Sequence, residues 1–199
     1  MKAQWALALL AAVLPGGQGD MDEGTIQGRI ANSLLARLPA AVYVEKIPGK
    51  EFHPPAEHAV VNQKNLVFNP HVLPVLVGIT VDFKNSDTVQ HNIFSSRKST
   101  TVFNLGTYAP GLSRSVTFDK PGVVSLLCNV HSEMSAYIVV LETPYFAVTD
   151  RSGNFTIPGV PPGAYQLSFW HEALSGEPQP VEVEKGKPIR VEWLKPKRK

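Results

Sequence analysis

The 199-residue chain carries 19 lysines and arginines against 17 aspartates and glutamates, a formal net charge of +2. This length suggests one or two domains, and the near balance of charges gives no support to nucleic-acid binding. No segment beyond the first twenty residues is apolar over a bilayer's width, so we expect no membrane span.

The first 19 residues have the pattern of a cleaved secretory signal. Lys2 precedes an apolar run over residues 5–14, and Gly17-Gln18-Gly19 supplies small residues for a signal peptidase. The run is too short for a stable transmembrane helix, and a buried N-terminal helix is the weaker alternative. We therefore expect a periplasmic protein whose mature chain starts near Asp20.

The rest of the chain reads as all-β. Short runs rich in Val, Ile, Phe and Thr alternate with turns built from its 17 prolines and 15 glycines. One short helical window, residues 31–38, ends at Pro39. The predicted strands are residues 25–30, 41–45, 59–62, 66–68, 76–84, 91–95, 113–118, 122–128, 136–141, 145–149, 154–157, 165–170, 181–184 and 189–193.

The two ends of the chain resemble two halves of one carboxypeptidase regulatory-like domain. Residues 148–169 contain an Asp-x-x-Gly turn before one strand and a Pro-Pro-Gly turn before the next, and residues 24–45 are similar to the first half of that family. The resemblance implies a prealbumin-like β-sandwich made from residues 24–50 and 143–199, with a domain over 57–142 inserted. Alternatively, residues 24–50 cap the middle domain.

The single cysteine, Cys128, requires an explanation in an exported chain. Exported proteins generally use cysteines in pairs, so this thiol is buried and inert, paired with another chain, or bound to a metal. His131 and Met134 follow it in a Cys-x-x-His-x-x-Met pattern, and His91 lies just beyond an earlier strand.

A thiolate, two imidazoles and a thioether form the soft ligand set typical of blue copper sites. Each residue alone has an ordinary structural explanation, but the four together favour copper. A zinc site would prefer further Cys, His or carboxylate ligands. A Cys128 nucleophile with His131 as its base is the weakest alternative, because both belong to one tight loop.

Residues 58–142 resemble the cupredoxins, and the loop spacing is closest to that of the amicyanins. The flanks, Val81-Asp-Phe-Lys-Asn-Ser-Asp, His91-Asn92 and Lys120-Pro-Gly, are also cupredoxin-like. The whole chain is similar to plastocyanin-like proteins of the methylamine-utilisation type. The resemblance implies a Greek-key β-sandwich with one type 1 copper ion held by His91, Cys128, His131 and Met134. It also implies that Asn92 ties the His91 loop to the Cys128 loop.

By the same resemblance we expect a non-enzymatic electron carrier. Its partner would be a redox protein such as a c-type cytochrome or a periplasmic dehydrogenase, docking near His131. The candidate docking residues are Leu105, Tyr108, Pro110 and Met134. Copper trafficking or storage, and a non-redox interaction module, remain open as alternative functions. A second, weaker copper site is a further hypothesis, and it would use some of the residues His53, His58 and His71 as ligands.

Overall fold

The structure, a computed structural model, describes residues 23–199, so the predicted signal peptide lies outside the described residues. The prediction of an all-β protein is confirmed. No helix in the described part of the chain is long and apolar enough to cross a membrane. The strands are β1 Gly24–Ile30, β2 Ala41–Val44, β3 Ala59–Lys64, β4 Val67–Asn69, β5 Val72–Leu76, β6 Ile79–Asn85, β7 His91–Ser95, β8 Asn104–Tyr108, β9 Ser113–Phe118, β10 Gly122–Leu127, β11 Ser135–Leu141, β12 Phe146–Val148, β13 Asn154–Val160, β14 Gly163–Trp170, β15 Leu174–Ser175, β16 Gln179–Val183, β17 Pro188–Trp193 and β18 Lys197–Arg198.

The middle of the chain forms a sandwich of two sheets. One has the strand order β5-β11-β10-β7-β8 and the other β4-β3-β6-β9. Strand β6 alternates strictly between interior and exterior positions, as expected where one face of a sheet covers a core. Phe83, Phe118, Val124 and Ile138 lie in that core, together with Cys128.

Strands from both ends of the chain form the second sandwich. In one sheet β1 lies between β13 and β17, and in the other β2 lies between β12 and β14. The apolar residues of these strands share one buried cluster, which includes Ile26, Val42, Ile157, Leu167 and Trp193. The predicted division into a discontinuous domain of residues 24–50 and 143–199 around an inserted one stays a prediction.

Four observed strands, β5, β8, β15 and β18, were not predicted, and one predicted strand is divided in two. The predicted strand 76–84 is two strands, because Gly78 turns the chain with φ at +88°. Strand β5 was not predicted because it contains Pro74, which lacks a backbone donor. It is tolerated because β5 is an edge strand that pairs with β11 alone. The predicted helical window contains only a 3₁₀ turn, Ser33–Ala36.

The two sandwiches touch through a small apolar cluster. Ala41 from β2 is buried together with Val72, Val139 and Leu141 from β5 and β11, and Trp170 packs against them. The copper-ligand candidates therefore belong to a sandwich whose β5–β11 side faces the second sandwich.

Candidate metal centre

His91 begins strand β7, and the turn before it is held by Asn85. The Asn85 side chain donates to Val89 O at 3.0 Å and to Tyr108 O at 3.2 Å, and accepts from Asp87 N at 3.0 Å. Asn85 is itself only 1% exposed. Buried hydrogen bonds of this kind fix the backbone that delivers the imidazole.

Cys128 follows directly after strand β10, and the next strand, β11, begins at Ser135. Leu127 pairs with Ser135 at the base of the intervening loop. Within the loop, Met134 N donates to His131 O at 3.1 Å. A short loop closed by a strand pair holds its side chains in a narrow range of positions.

The structure brings three of the predicted ligands together. The candidate ligand atoms of His91, Cys128 and His131 all lie within 4.8 Å of one another. The two Nδ1 atoms of the histidines are 3.1 Å apart. His91 is fully buried, Cys128 is 6% exposed, and His131 is partly exposed. Two nitrogens and a sulfur therefore converge on one shielded point.

Met134 ends the same loop and is 1% exposed, within the core that contains Cys128. A buried thioether at this position is compatible with a weak fourth ligand. Its assignment as a ligand stays a prediction, as does that of the other three residues.

Asp87 is a functional candidate that the sequence reading missed. Its Oδ2 lies 3.0 Å from His91 Nε2 and accepts from Leu66 N at 2.9 Å, and its Oδ1 accepts from Thr88 N at 2.9 Å. These backbone donors, followed by His91, lower the pKa of Asp87 to about 2. A carboxylate at Nε2 favours the imidazole tautomer that carries its proton on Nε2, and in that tautomer Nδ1 is the nitrogen that can bind a metal. An acidic residue four positions before the histidine was the available signal.

Asn92 makes a different contact from the one expected. Its side-chain nitrogen donates to Asn104 Oδ1 at 2.9 Å, on the neighbouring strand β8. Its side-chain oxygen is buried and has no hydrogen-bond partner among residues 23–199. The hydrogen bonds of Asn92 thus run to β8, and its predicted link to the Cys128 loop stays a prediction.

The expected docking surface needs correction. Tyr108 is 3% exposed and Met134 1%, so neither can form an apolar surface. The Tyr108 hydroxyl is instead inside the sandwich, where it donates to Phe83 O at 3.0 Å. Its ring is buried because β8 turns it inward, and the sequence analysis gave no indication of this direction since residues 104–108 were not predicted as a strand. Leu105 is partly buried and Pro110 is exposed.

Other apolar side chains are exposed around the site instead. Val130, beside His131, is 50% exposed, and Val89, two residues before His91, is 41% exposed. Leu112 is 54% exposed and its carbonyl accepts from Asn85 N.

The remaining histidines do not form a second cluster. His58 Nδ1 lies 3.0 Å from Asp82 Oδ1, and His71 Nε2 lies 2.5 Å from Glu172 Oε1. Within residues 23–199, no group of three metal-ligating side chains contains His53, His58 or His71.

Known families match two parts of the chain. Residues 56–141 match the family described as copper binding proteins, plastocyanin/azurin family. Residues 121–191 match fn3_3, domain II of polysaccharide lyase family 4. The matches share residues 121–141, which the structure places in the first sandwich as β10, the Cys128 loop and β11. The second match supports a further β domain under a different description from the carboxypeptidase regulatory-like one. No curated protein matches the chain.

Solved structures similar to this chain include a purple cupredoxin from Nitrosopumilus maritimus. It is 26% identical with a TM-score of 0.38, and the match covers 41% of this chain and 98% of that one. A mutant of amicyanin in its reduced state is 24% identical with a TM-score of 0.40, covering 48% and 96%. A copper-containing nitrite reductase from Thermus scotoductus SA-01 is 25% identical with a TM-score of 0.42, covering 50% and 25%. The family match to residues 56–141 supports a cupredoxin domain in this part of the chain.

Proposed function

We propose that this protein is a periplasmic type 1 copper protein that carries single electrons between redox partners. The observation that carries the proposal is the convergence of His91, Cys128 and His131 within 4.8 Å in a family-matched cupredoxin domain. Bound there, one copper ion would supply one-electron exchange between its +1 and +2 states. The export signal expected in residues 1–19 supports the location.

The donor set fits copper. Cys128 would bind as a thiolate, and His91 and His131 through the Nδ1 atoms that already face each other at 3.1 Å. Met134 would be the weak fourth ligand, since a thioether beside His₂Cys is the arrangement of blue copper sites. Burial of His91 and Cys128 keeps water from the donors, and the hydrogen bonds of Asn85 hold the His91 turn in place.

His131 is the ligand nearest to solvent, so electrons would pass through its exposed edge. A partner would contact the apolar side chains around it, with Val89, Leu112 and Val130 in place of the buried Tyr108 and Met134. A c-type cytochrome or a periplasmic dehydrogenase is the expected kind of partner. We also propose that residues 24–50 and 143–199 form one domain, because β1 and β2 pair with the C-terminal strands.

A copper titration of the purified mature protein tests the function. We expect one equivalent of Cu(II) to give an intense blue colour that ascorbate bleaches and ferricyanide restores. Cys128→Ser should abolish the colour, because the colour arises from the thiolate, whereas the control Ser132→Ala in the same loop should retain it. A colourless complex would favour trafficking or storage, and no copper uptake would contradict the proposal.

A further inference from the structure

A contact between His71 and Glu172 joins the second sandwich to the cupredoxin domain. Glu172 follows β14, and His71 directly precedes β5. His71 Nε2 lies 2.5 Å from Glu172 Oε1, and His71 Nδ1 lies 3.1 Å from Ser135 O. The imidazole therefore bridges the two sandwiches.

Ser135 is the residue through which this contact reaches the metal centre. It directly follows Met134 and pairs with Leu127, the residue before Cys128. The base of the ligand loop is thus held on one side by β10. On its other side it is held by His71, whose backbone carbonyl also accepts from Tyr137 N at 2.9 Å.

Each ring nitrogen of His71 has an oxygen partner. Nδ1 faces Ser135 O and Nε2 faces the Glu172 carboxylate, so the imidazole spans the space between the two groups. The side chains of His71 and Glu172 are 27% and 23% exposed, so both contacts are partly shielded from water.

Tyr137 and Trp170 hold the same group of side chains. The Tyr137 ring meets the His71 ring edge-on at 5.6 Å and lies 4.7 Å from the Trp170 ring. The Tyr137 hydroxyl donates to Glu172 Oε2 at 3.5 Å. Burial, followed by the negative charge of Glu172, raises the pKa of Tyr137. Glu172 is therefore tied to β11 through Tyr137 and to the start of β5 through His71.

We propose that Glu172 and His71 are positioning residues of the metal centre, through which the second sandwich holds the Cys128–Met134 loop in its ligating geometry. This inference rests on the proposed function of that loop as a copper site. Apolar contact between the sandwiches is already provided by the cluster around Val72 and Val139. The His71–Glu172 contact adds a directional restraint at one point, the carbonyl of Ser135.

The first test is hydrogen–deuterium exchange in the copper-free protein. Glu172→Ala should speed exchange in peptides covering residues 128–135, where Met134 N is protected by His131 O. Glu172→Gln should remain near wild type, because the amide oxygen still accepts from His71. Glu177→Ala, an exposed acid on the same sandwich, is the matched control. If Glu172→Ala does not fold, Glu172→Asp is the second variant. It keeps the carboxylate but is shorter by one methylene, so hydrogen exchange in the loop should again be faster than in wild type.

The second test uses the copper-loaded protein. Copper release to an excess of chelator should be about 3- to 10-fold faster in Glu172→Ala, less than the 10- to 100-fold effect of removing a direct partner of a ligand. His71→Ala should match the variant that carries both His71→Ala and Glu172→Ala, because either change removes the same contact. The EPR spectrum of the Cu(II) form should change in the same variants and not in the control.

The outcomes separate this inference from the proposed function. If Glu172→Ala showed the same hydrogen exchange in the loop and the same rate of copper release as Glu177→Ala, the inference would be wrong. The proposed copper function would be unaffected. A wild-type protein that takes up no copper would overturn the function, and exchange in the copper-free loop would then decide the inference alone.

Discussion

Removing the Asp87 carboxylate should weaken copper binding by about 10- to 100-fold. Asp87 Oδ2 lies 3.0 Å from His91 Nε2, the imidazole is fully buried, and the carboxylate side chain is 10% exposed. In Asp87→Ala the Nε2–H has no acceptor in the described contacts. The tautomer with its proton on Nε2 then loses its stabilising partner, so the tautomer protonated on Nδ1 becomes more populated. Nδ1 is the atom that must be unprotonated to bind the metal.

The magnitude follows from the His91 N–H group. A buried donor without a partner costs about 1–3 kcal/mol. Losing the partner of a metal-bound histidine typically lowers metal affinity by about 10- to 100-fold, and each tenfold is about 1.4 kcal/mol. A 10- to 100-fold loss of affinity is therefore about 1.4 to 2.8 kcal/mol, which agrees with the cost of the unpaired donor. Asp87→Asn should lose less than about tenfold, because its amide oxygen can still face His91 and Leu66.

The assay is competition for Cu(I) against a chelator of known affinity at fixed pH. Asp119→Ala, an exposed acid in the same domain, is the control for loss of one negative charge. If folded Asp87→Ala bound copper as tightly as Asp119→Ala, the assignment of the His91 proton to Nε2 would be wrong.

Two further predictions concern the second sandwich. Gly28→Ala places a Cβ directly against Val191 O, so urea unfolding should show a loss of stability of about 3 kcal/mol or more, with the copper spectrum unchanged while the protein is folded. Donation from Asn154 and nearby backbone lowers the pKa of Asp150, so its stabilising effect is complete above the unfolded value of about 3.9 and is lost as pH falls through the folded value. The difference in urea midpoint between wild type and Asp150→Asn should therefore be constant above about pH 5 and shrink as the pH falls below the unfolded pKa of about 3.9. A constant difference at every pH would contradict this.

Much of the fold could be predicted because turn residues and β-branched runs are local signals. Strand β6 was predictable from its alternation, and the Asp150 turn from its Asp-x-x-Gly pattern. Strand β5 could not be predicted in this way, because Pro74 is compatible with a strand only at a sheet edge, and edge position is a property of the assembled sheet.

The candidate site was predictable to a similar extent. Cys128, His131 and Met134 lie within seven residues, so their spacing alone indicated a shared loop. The partners of the site are distant or ambiguous in sequence. Glu172 reaches His71 only after two sandwiches have packed together, and the inward turn of Tyr108 depends on its pairing with His91.

The pairing of β2 with β12 has a consequence for how the metal centre is presented. Tyr43 and Phe146 are neighbours across these strands, so the intervening chain leaves and returns at almost the same place. A domain attached by one linker can swivel about it, whereas one attached by two adjacent strands resists rotation about either. A partner bound to the second sandwich would therefore meet the His131 edge in a fixed orientation, without an entropic cost for restraining the two sandwiches relative to each other.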